Sequence, residues 1–341
     1  MADKEPRQIE VPYAGGKWTE IIEREDGSIV FAVYHNKDGD EEIEYRKNFL
    51  HVKDDDTIEI RVPIPKLPWS VPGEPTEPGD SLYEDIREFV YDHIDFYDDR
   101  LYDVYTAWVF ASWVPEIFKV IPYFFFMGPV NSGKTRCLEG FKYLSRRAVM
   151  GSTVSEAAIY QAIEEWEITT LLDETERYNQ DKAATIQHLL NSGYRRGQPA
   201  IRARVGEGGA RSLDLFDVFG FKALSGTEGM YRSLESRSII VKMMRAQRRV
   251  KFLVDEKRAK ELRSRLMLWR WRTLKEHEGE LQEYFAKEIP EIFNFTNGRF
   301  IELFASLYTI QPKAREVIMD FAQDEFTDMI DEEVVSEEAQ V

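Results

Sequence analysis

The sequence predicts an α/β fold with a parallel sheet, preceded by a small β-rich module and followed by a helical C-terminal lid. Short apolar strands alternate with helical segments from about residue 115 to residue 244, which is typical of a parallel sheet covered by helices. Residues 18–62 alternate in short strand-like runs broken by Asp, Gly and Asn turns, which indicates β-structure. Beyond Val250 the pattern becomes helical.

The 341 residues are enough for one large domain and one small one. Residues 1–62 form the predicted β-rich module. Six prolines between Pro63 and Pro78 make residues 63–80 a predicted linker, because proline suits neither a helix interior nor a central strand. Residues 81–250 form a helical lead-in and the α/β core, and residues 251–319 the lid. Residues 320–341 carry nine acidic and no basic side chains, which predicts a disordered tail.

The net charge of −17 is concentrated at the two ends of the sequence. Residues 1–80 carry a net charge of −9 and residues 320–341 another −9, whereas residues 81–319 carry +1. Five arginines and one acid lie between Arg195 and Arg211, the densest positive stretch of the chain. The acidic total therefore does not exclude a nucleic-acid partner, since the local distribution of charge decides binding.

Several classes of protein and site are excluded by composition. The single cysteine, Cys137, cannot form an internal disulfide, and the five histidines show no ligand spacing for zinc. The N-terminal residues lack the apolar region of a secretory signal. The longest apolar run, 120–127, is far shorter than the roughly 20 residues of a membrane span. We therefore expect a soluble, cytoplasmic protein with no membrane partner.

A glycine-rich segment follows the predicted strand at residues 123–127 and fits the pattern G-x-x-x-x-G-K-[ST] in full. Its residues are Gly128, Pro129, Val130, Asn131, Ser132, Gly133, Lys134 and Thr135. Glycines let backbone N–H groups approach phosphate oxygens, and the helix expected from Lys134 adds the positive end of its dipole. The lysine of such a loop reaches the β- and γ-phosphates, and the hydroxyl binds Mg²⁺. The segment therefore predicts a site for ATP and Mg²⁺.

A second acidic element completes this predicted site. The apolar strand at residues 168–172 ends in Asp173 and Glu174, 38 residues after Thr135. This arrangement resembles a Walker B motif, in which Asp173 would hold Mg²⁺ through water and Glu174 would polarise the attacking water as general base. The two motifs together predict an ATP-hydrolysis site.

Later segments resemble the AAA+ class of P-loop ATPases, whose core contains a parallel five-stranded sheet. The segment 219–227 is similar to the fourth strand of that class, which ends in a polar residue called sensor 1. The resemblance implies that Ser225 or Thr227 contacts the γ-phosphate or the attacking water.

Two arginines also match AAA+ positions. Arg237 stands just before the expected fifth strand at residues 239–243, where the class carries an arginine finger that reaches the neighbouring subunit's nucleotide. Arg232 is the second candidate for that role. Arg299 opens a helix of the lid region, where the resemblance implies a nucleotide-binding sensor 2 arginine.

The segment 194–216 predicts a β-hairpin inserted before the sensor strand. Apolar residues alternate with Arg202 and Arg204, and a glycine-rich tip at residues 206–209 turns the chain back. It resembles the pre-sensor-1 hairpin of the AAA+ helicase clade, which includes superfamily 3 viral helicases and MCM helicases. In hexamers of those families the hairpin grips DNA in the central channel. The resemblance thus implies that Arg202, Arg204 and Arg211 contact DNA, expected to be single-stranded.

Four further segments, PYFFF (122–126), GYRRG (193–197), FDVFG (216–220) and ESRS (235–238), resemble helicase-like ATPases found beside primase-type proteins in plasmids and viruses. The resemblance covers roughly residues 100–310. It implies an ATP-driven hexameric DNA helicase or translocase for the replication of a mobile element or virus. The acidic N-terminal module is then the expected contact for a replication protein.

Two other functions remain open from the sequence. A protein-remodelling or loader-type AAA+ ATPase would act on a protein client, although such enzymes present aromatic-hydrophobic pore loops where this chain has arginines. A nucleotide-gated switch without turnover is the third possibility, and the intact pair Asp173 and Glu174 argues against it.

Overall fold

The computed structural model describes residues 18–24, 26–37, 39–46, 49–53, 56–60, 71–151, 156–175, 180–205, 211–227, 229, 232–277, 288–296 and 298–338. The glycine-rich hairpin tip at residues 206–209 and residues 63–70 of the predicted linker lie outside this set.

The N-terminal module is a small sheet, as its alternating pattern predicts. Its strands are β1 (Thr19–Glu23), β2 (Ile29–Lys37), β3 (Asp40–Arg46) and β6 (Val71–Pro72), in the order β3-β2-β1-β6. Strands β4 (Phe49–Lys53) and β5 (Asp56–Ile60) form a separate antiparallel hairpin.

The central sheet has five parallel strands, which confirms the predicted fold class. They are β7 (Tyr123–Met127), β8 (Ala148–Gly151), β9 (Thr169–Leu172), β12 (Lys222–Gly226) and β13 (Ser238–Lys242), in the order β13-β7-β12-β9-β8. An antiparallel ribbon of β10 (Ala200–Val205) and β11 (Arg211–Phe216) is inserted before β12, where the hairpin is predicted.

Strand β7 shows why these apolar segments form a buried sheet. Phe124 and Phe126 pack into one hydrophobic cluster, and Tyr123 and Phe125 pack into another. Alternate side chains of a strand point to opposite faces, so both faces of the sheet are covered. A continuous apolar strand is therefore required here, and its carboxyl end carries the loop that follows.

Helices surround these sheets, including a short one at residues 288–292. Nine others of the described chain are numbered in chain order. They are α1 (Leu82–His93), α2 (Arg100–Ser112), α3 (Lys134–Leu144), α4 (Glu156–Trp166), α5 (Gln180–Gly193), α6 (Arg232–Glu235), α7 (Glu256–Glu276), α8 (Arg299–Ile310) and α9 (Arg315–Glu338). The tryptophans of α7 pack inside the protein. Trp271 is fully buried and stacks on Tyr34 of β2, and Trp269 contacts Phe110 of α2 edge-on.

The N-terminal sheet is fastened to the core by a buried group of charges. Glu20 of β1 is 1% exposed and contacts three arginines, Arg146, Arg147 and Arg270. Arg270 of α7 also pairs with Glu116. Burial opposes ionisation of Glu20, but the three guanidinium charges outweigh it and hold the pKa of that carboxyl below its usual value. The carboxylate therefore joins the N-terminal sheet, the α3–β8 connection and α7.

The described part of the predicted linker is not a free connection. Val71–Pro72 pairs with β1 in parallel, and the N–H of Gly73 donates to the Glu23 carbonyl at 2.8 Å. Further along, Arg265 of α7 donates to the Pro78 carbonyl at 2.8 Å. Proline-rich sequence can add a short edge strand and then follow a helix surface, because it needs few N–H donors there.

The prediction of a disordered acidic tail is wrong for the described residues, which continue α9 to Glu338. Phe321 is buried one turn after the buried Ile318. On the exposed side Arg100 donates to Asp320 and Asp324 at 2.8 and 2.7 Å. The prediction considered only the acidic residues and not the apolar residues at helical spacing between them. Some of those acidic side chains are also paired with Arg100 of α2.

Replacing Glu20 by Gln should lower the free energy of unfolding by about 3–5 kcal/mol, because three buried arginines lose their shared anion. Urea titration at pH 7 measures this change. Since the folded-state pKa of Glu20 is lowered, the wild-type stabilisation is present above the usual glutamate pKa and is lost as the pH falls through the folded-state value. The difference between variant and wild type should therefore shrink in acid.

Glu23→Gln, at the half-buried end of the same strand, is the matched control and should change stability by less than about 0.5 kcal/mol. Equal losses in the two variants would show that the charge on β1, rather than the buried group, matters.

Candidate nucleotide-binding site

The glycine-rich loop lies between β7 and α3, as the sequence predicts. Asn131 and Gly133 have positive φ angles of 66° and 93°, which turns the loop before α3 begins at Lys134. A Cβ at Gly128 would lie 2.2 Å from the carbonyl oxygen of Met243, so only glycine fits beside β13. The loop therefore ends at the N-terminus of α3, where backbone N–H groups can bind an anion.

Two polar side chains of the loop fit a phosphate ligand. The Ser132 hydroxyl is buried and has no hydrogen-bond partner among the described residues. The Lys134 ammonium donates to the carbonyls of Gly128 and Pro129 at 2.7 and 2.8 Å, so it lies folded over the loop. A phosphate group in this loop would give the hydroxyl a partner and the ammonium a counter-ion.

The predicted metal ligands meet at the carboxyl end of the sheet. The Thr135 hydroxyl donates to Asp173 Oδ2 at 2.9 Å, although 38 positions separate them in sequence. Asp173 is 8% exposed at the end of β9. Hard oxygen atoms at this separation suit Mg²⁺, which binds through one or two protein oxygens together with phosphate and water. The residues present therefore fit the predicted ATP and Mg²⁺.

The sensor strand touches the same carboxylate. Ser225, fully buried in β12, donates its hydroxyl to the other oxygen of Asp173. Thr227, the alternative sensor residue, is half-buried just beyond β12, and the preceding Gly226 carbonyl accepts the Gly128 N–H at 3.2 Å. The structure thus places both residues near the loop and puts Ser225 in contact with Asp173.

Glu174 follows Asp173 with a positive φ of 53°, which costs energy for a residue with a side chain. Its N–H donates to Asp173 Oδ1 at 3.0 Å. Thr175, which the sequence analysis did not single out, donates its hydroxyl to the Ser225 carbonyl at 2.9 Å. The turn at Glu174 is therefore held against the sensor strand by its neighbours on both sides.

Arg237 lies at the opposite edge of the sheet from the loop. Its carbonyl accepts the Tyr123 N–H at the amino end of β7, whereas Gly128 follows the carboxyl end. With a strand rise of about 3.3 Å per residue, the five residues of β13 separate the two by about 16 Å, well beyond the length of an arginine side chain. Arg237 therefore does not act on the nucleotide loop of its own chain.

Arg299 is placed beside Arg237 rather than beside the loop. Its guanidinium donates to Ser236 Oγ at 2.9 Å. Burial, reinforced by the charge of Arg299, lowers the pKa of Arg237. Arg195 stands nearby and pairs with Glu302 of α8. We call Arg195, Arg237 and Arg299 the arginine cluster. Sequence spacing could not reveal it, because its members come from three separate elements.

The predicted DNA-contact residues lie in the β10–β11 ribbon. Arg202 is half-buried with its guanidinium 4.3 Å from the ring centre of Tyr160 on α4, and it lies opposite Asp214 in the strand register. In backbone register Arg204 pairs with Ser212, and Arg211 pairs with Val205. Contact of these arginines with DNA stays a prediction.

Comparison with solved structures gives several similar chains. No protein-family model matches the sequence, and a search of curated proteins gives no match. A full-length MCM homolog from Methanopyrus kandleri is 8% identical, with a TM-score of 0.42. The matched region covers 86% of this chain and 72% of the homolog's chain. A JCV helicase with a bound small molecule is 12% identical, with a TM-score of 0.31. The matched region covers 67% of this chain and 66% of the helicase chain.

An apo structure of the NrS-1 C-terminal region is also similar, at 12% identity and a TM-score of 0.29, with 69% of this chain and 50% of its own chain covered. What the site can do follows from the chain's own residues. In the described chain no helix is both long and apolar enough to span a membrane.

Gly128→Ala should weaken ATP binding at least tenfold, which is about 1.4 kcal/mol, because the new methyl group would push the loop away from Met243. Titration with a fluorescent ATP analogue measures the affinity, and a thermal melt shows whether the variant is folded.

The matched control is Gly220→Ala, whose Cβ would meet an ordinary contact of 3.6 Å. A folded Gly128→Ala variant that binds ATP as well as this control would contradict the close approach of the loop to β13.

Proposed function

We propose that the chain is a Mg²⁺-dependent ATPase that acts as a DNA helicase or translocase in a ring of identical copies, a hexamer, serving replication of a mobile element or virus. The observation that carries the proposal is the contact among Thr135, Asp173 and Ser225, which unites three motifs at one edge of the sheet.

In this proposal the loop residues bind the phosphates of ATP. Backbone N–H groups at the start of α3 hold phosphate oxygens, and Lys134 turns from the Gly128 and Pro129 carbonyls to the β- and γ-phosphates. Thr135 and Asp173 hold Mg²⁺. Bound ATP supplies the phosphoanhydride bond whose hydrolysis drives movement.

Glu174 accepts a proton from the attacking water, and Ser225 fixes the Asp173 carboxylate beside it. The positive φ at Glu174 departs from strand geometry, in which adjacent residues point to opposite faces, so Glu174 is not directed as the next residue of β9 would be. In this proposal Thr227, half-buried just beyond β12, is the second polar side chain that senses the γ-phosphate.

The arginine cluster serves the nucleotide of a neighbouring copy. Arg237 lies too far from its own loop, and three guanidinium groups around Glu302 leave a net positive site at the opposite edge of the sheet. A head-to-tail ring brings the two edges together, which is how heterologous interfaces close. Arg299 thus binds a nucleotide across the interface rather than in its own chain.

The DNA part of the proposal rests on the inserted ribbon. Its arginines, Arg202, Arg204 and Arg211, would line a channel and follow phosphates in a salt-dependent way. The N-terminal sheet, fixed to the core through Glu20, would then present its acidic outer strands to a replication protein.

Single-stranded DNA should stimulate the ATPase severalfold at low salt, and the wild type should separate a forked duplex. Glu174→Gln should bind ATP normally but lose hydrolysis by about 10²–10⁴-fold and lose unwinding with it, because the general base is missing. A steady-state phosphate assay and a strand-separation assay measure the two activities.

Glu276→Gln, an exposed carboxylate at the C-terminal end of α7 outside both the nucleotide loop and the arginine cluster, serves as the control and should keep both activities. Wild-type hydrolysis that is indifferent to DNA, together with no DNA binding at low salt, would count against the helicase and leave only the ATPase.

Mixing two inactive variants tests the shared site. Arg237→Ala keeps an intact loop and Lys134→Ala keeps an intact arginine cluster, and each alone should lose about 10³-fold or more in rate. An equimolar mixed ring restores about a quarter of the interfaces, since one copy then supplies the loop and the next the arginine. Phosphate release before and after mixing measures the recovery.

Arg249→Ala, which removes an exposed arginine, should stay close to wild type. If mass measurements show mixed assemblies and no activity returns, Arg237 does not act across the interface.

A further inference from the structure

One face of the β10–β11 ribbon is apolar and exposed to solvent. Leu213 is 70% exposed, Ile201 63% and Leu215 59%, and Ala203 is exposed between them. The register places Ile201 opposite Leu215 and Ala203 opposite Leu213, so all four side chains share one face. We call these four residues the ribbon apolar face.

The residues between those four in each strand have their side chains on the opposite face of the ribbon, toward α4. Arg202 lies over Tyr160 of α4, and the ring of Phe216 contacts the same tyrosine edge-on at 5.7 Å. Among the described residues, the ribbon packs on its own chain through the side that carries Arg202 and Phe216. A two-stranded ribbon is marginally stable when a face remains uncovered, so a partner surface would stabilise it.

The chemistry of the face does not suit nucleic acid. Leucine and isoleucine carry no charge for phosphates and no ring on which bases could stack. Aliphatic side chains in contact with one another are instead typical of the dry centre of a protein interface. The expected occupant is therefore a protein surface.

The position of the ribbon selects which protein. β10 begins five residues after Arg195 of the arginine cluster, and Ala200 is buried in the same hydrophobic cluster as Tyr194 and Leu234, which flank Arg237. The ribbon therefore starts beside the edge of the sheet that, in the proposed function, meets a second copy of the chain. The opposite edge offers exposed apolar side chains of its own, Val130 and Met244, beside the nucleotide loop.

We propose that the ribbon apolar face packs against a second copy of this chain and is part of the contact that assembles the ring. This proposal rests on the shared nucleotide site of the proposed function and adds its apolar component. The ribbon then packs on α4 with the face that carries Arg202 and Phe216, and on the neighbouring copy with its apolar face.

Leu213→Ser/Leu215→Ser should raise the protein concentration needed for assembly at least tenfold in the presence of Mg²⁺ and a non-hydrolysable ATP analogue. Mass photometry over a concentration series measures this shift. Met329→Ser/Ile330→Ser, which removes two exposed apolar side chains from α9, is the matched control and should assemble like the wild type. ATP binding by the unassembled variant shows that its fold is intact.

A photo-crosslinking amino acid at position 213 provides a second measurement that does not depend on destabilising the ribbon. Ultraviolet light should produce covalent dimers and higher species of the purified protein with the ATP analogue, and the same amino acid at position 329 should not. This arm decides the question if the double serine variant fails to fold.

The outcomes separate the two proposals. A wild type that assembles and recovers activity in mixed rings, while Leu213→Ser/Leu215→Ser assembles equally well and position 213 gives no crosslinks, overturns the ribbon contact alone. Loss of DNA binding with normal assembly would assign the face to DNA, and loss of a protein client's binding would assign it to that client. A wild type that stays monomeric with ATP overturns both the shared site and the ribbon contact.

Discussion

The parallel pairing of β7, β9 and β12 is the constraint on which the rest of this structure depends. Strands that run in the same direction end at the same edge of a sheet, so the loop after β7, Asp173 after β9 and Ser225 near the end of β12 converge there. The short side chains of Thr135 and Asp173 are then long enough to form their hydrogen bond. The same pairing places residues that precede a strand, such as Arg237, at the far edge of the sheet.

A second constraint links this site to the N-terminal sheet. Helix α3 starts at the nucleotide loop and ends at Leu144, and Arg146 and Arg147 follow at once and hold the buried Glu20 of β1. A buried carboxylate among arginines has few alternative positions, because separation would leave charges unpaired away from water. The N-terminal sheet is therefore attached to the core directly after the helix that begins at the loop.

The inserted ribbon shows how one element can serve two purposes. A two-stranded ribbon has two faces, and here one carries Arg202 toward α4 while the other exposes leucines and isoleucine. The arginine-rich composition suggested a single role in binding phosphates. The register instead places Ile201, Ala203, Leu213 and Leu215 on one face and Arg202 on the other, so the ribbon packs on its own chain with one face and exposes the other.

The sequence by itself determined the α/β core, the boundaries of β7 and the start of α3, and the identity of the loop and of Asp173, because these depend on local spacing and on apolar runs that must be buried. It also located the ribbon by its alternation and glycine-rich tip. It missed the packed acidic helix α9, the strand made by Val71–Pro72 and the joining of Arg195, Arg237 and Arg299. Those depend on contacts between residues far apart in the chain. Only the tertiary structure decided that Arg299 stands with Arg237 and that Arg202 lies over Tyr160, since packing of separate elements sets the direction of a long side chain and sequence spacing does not.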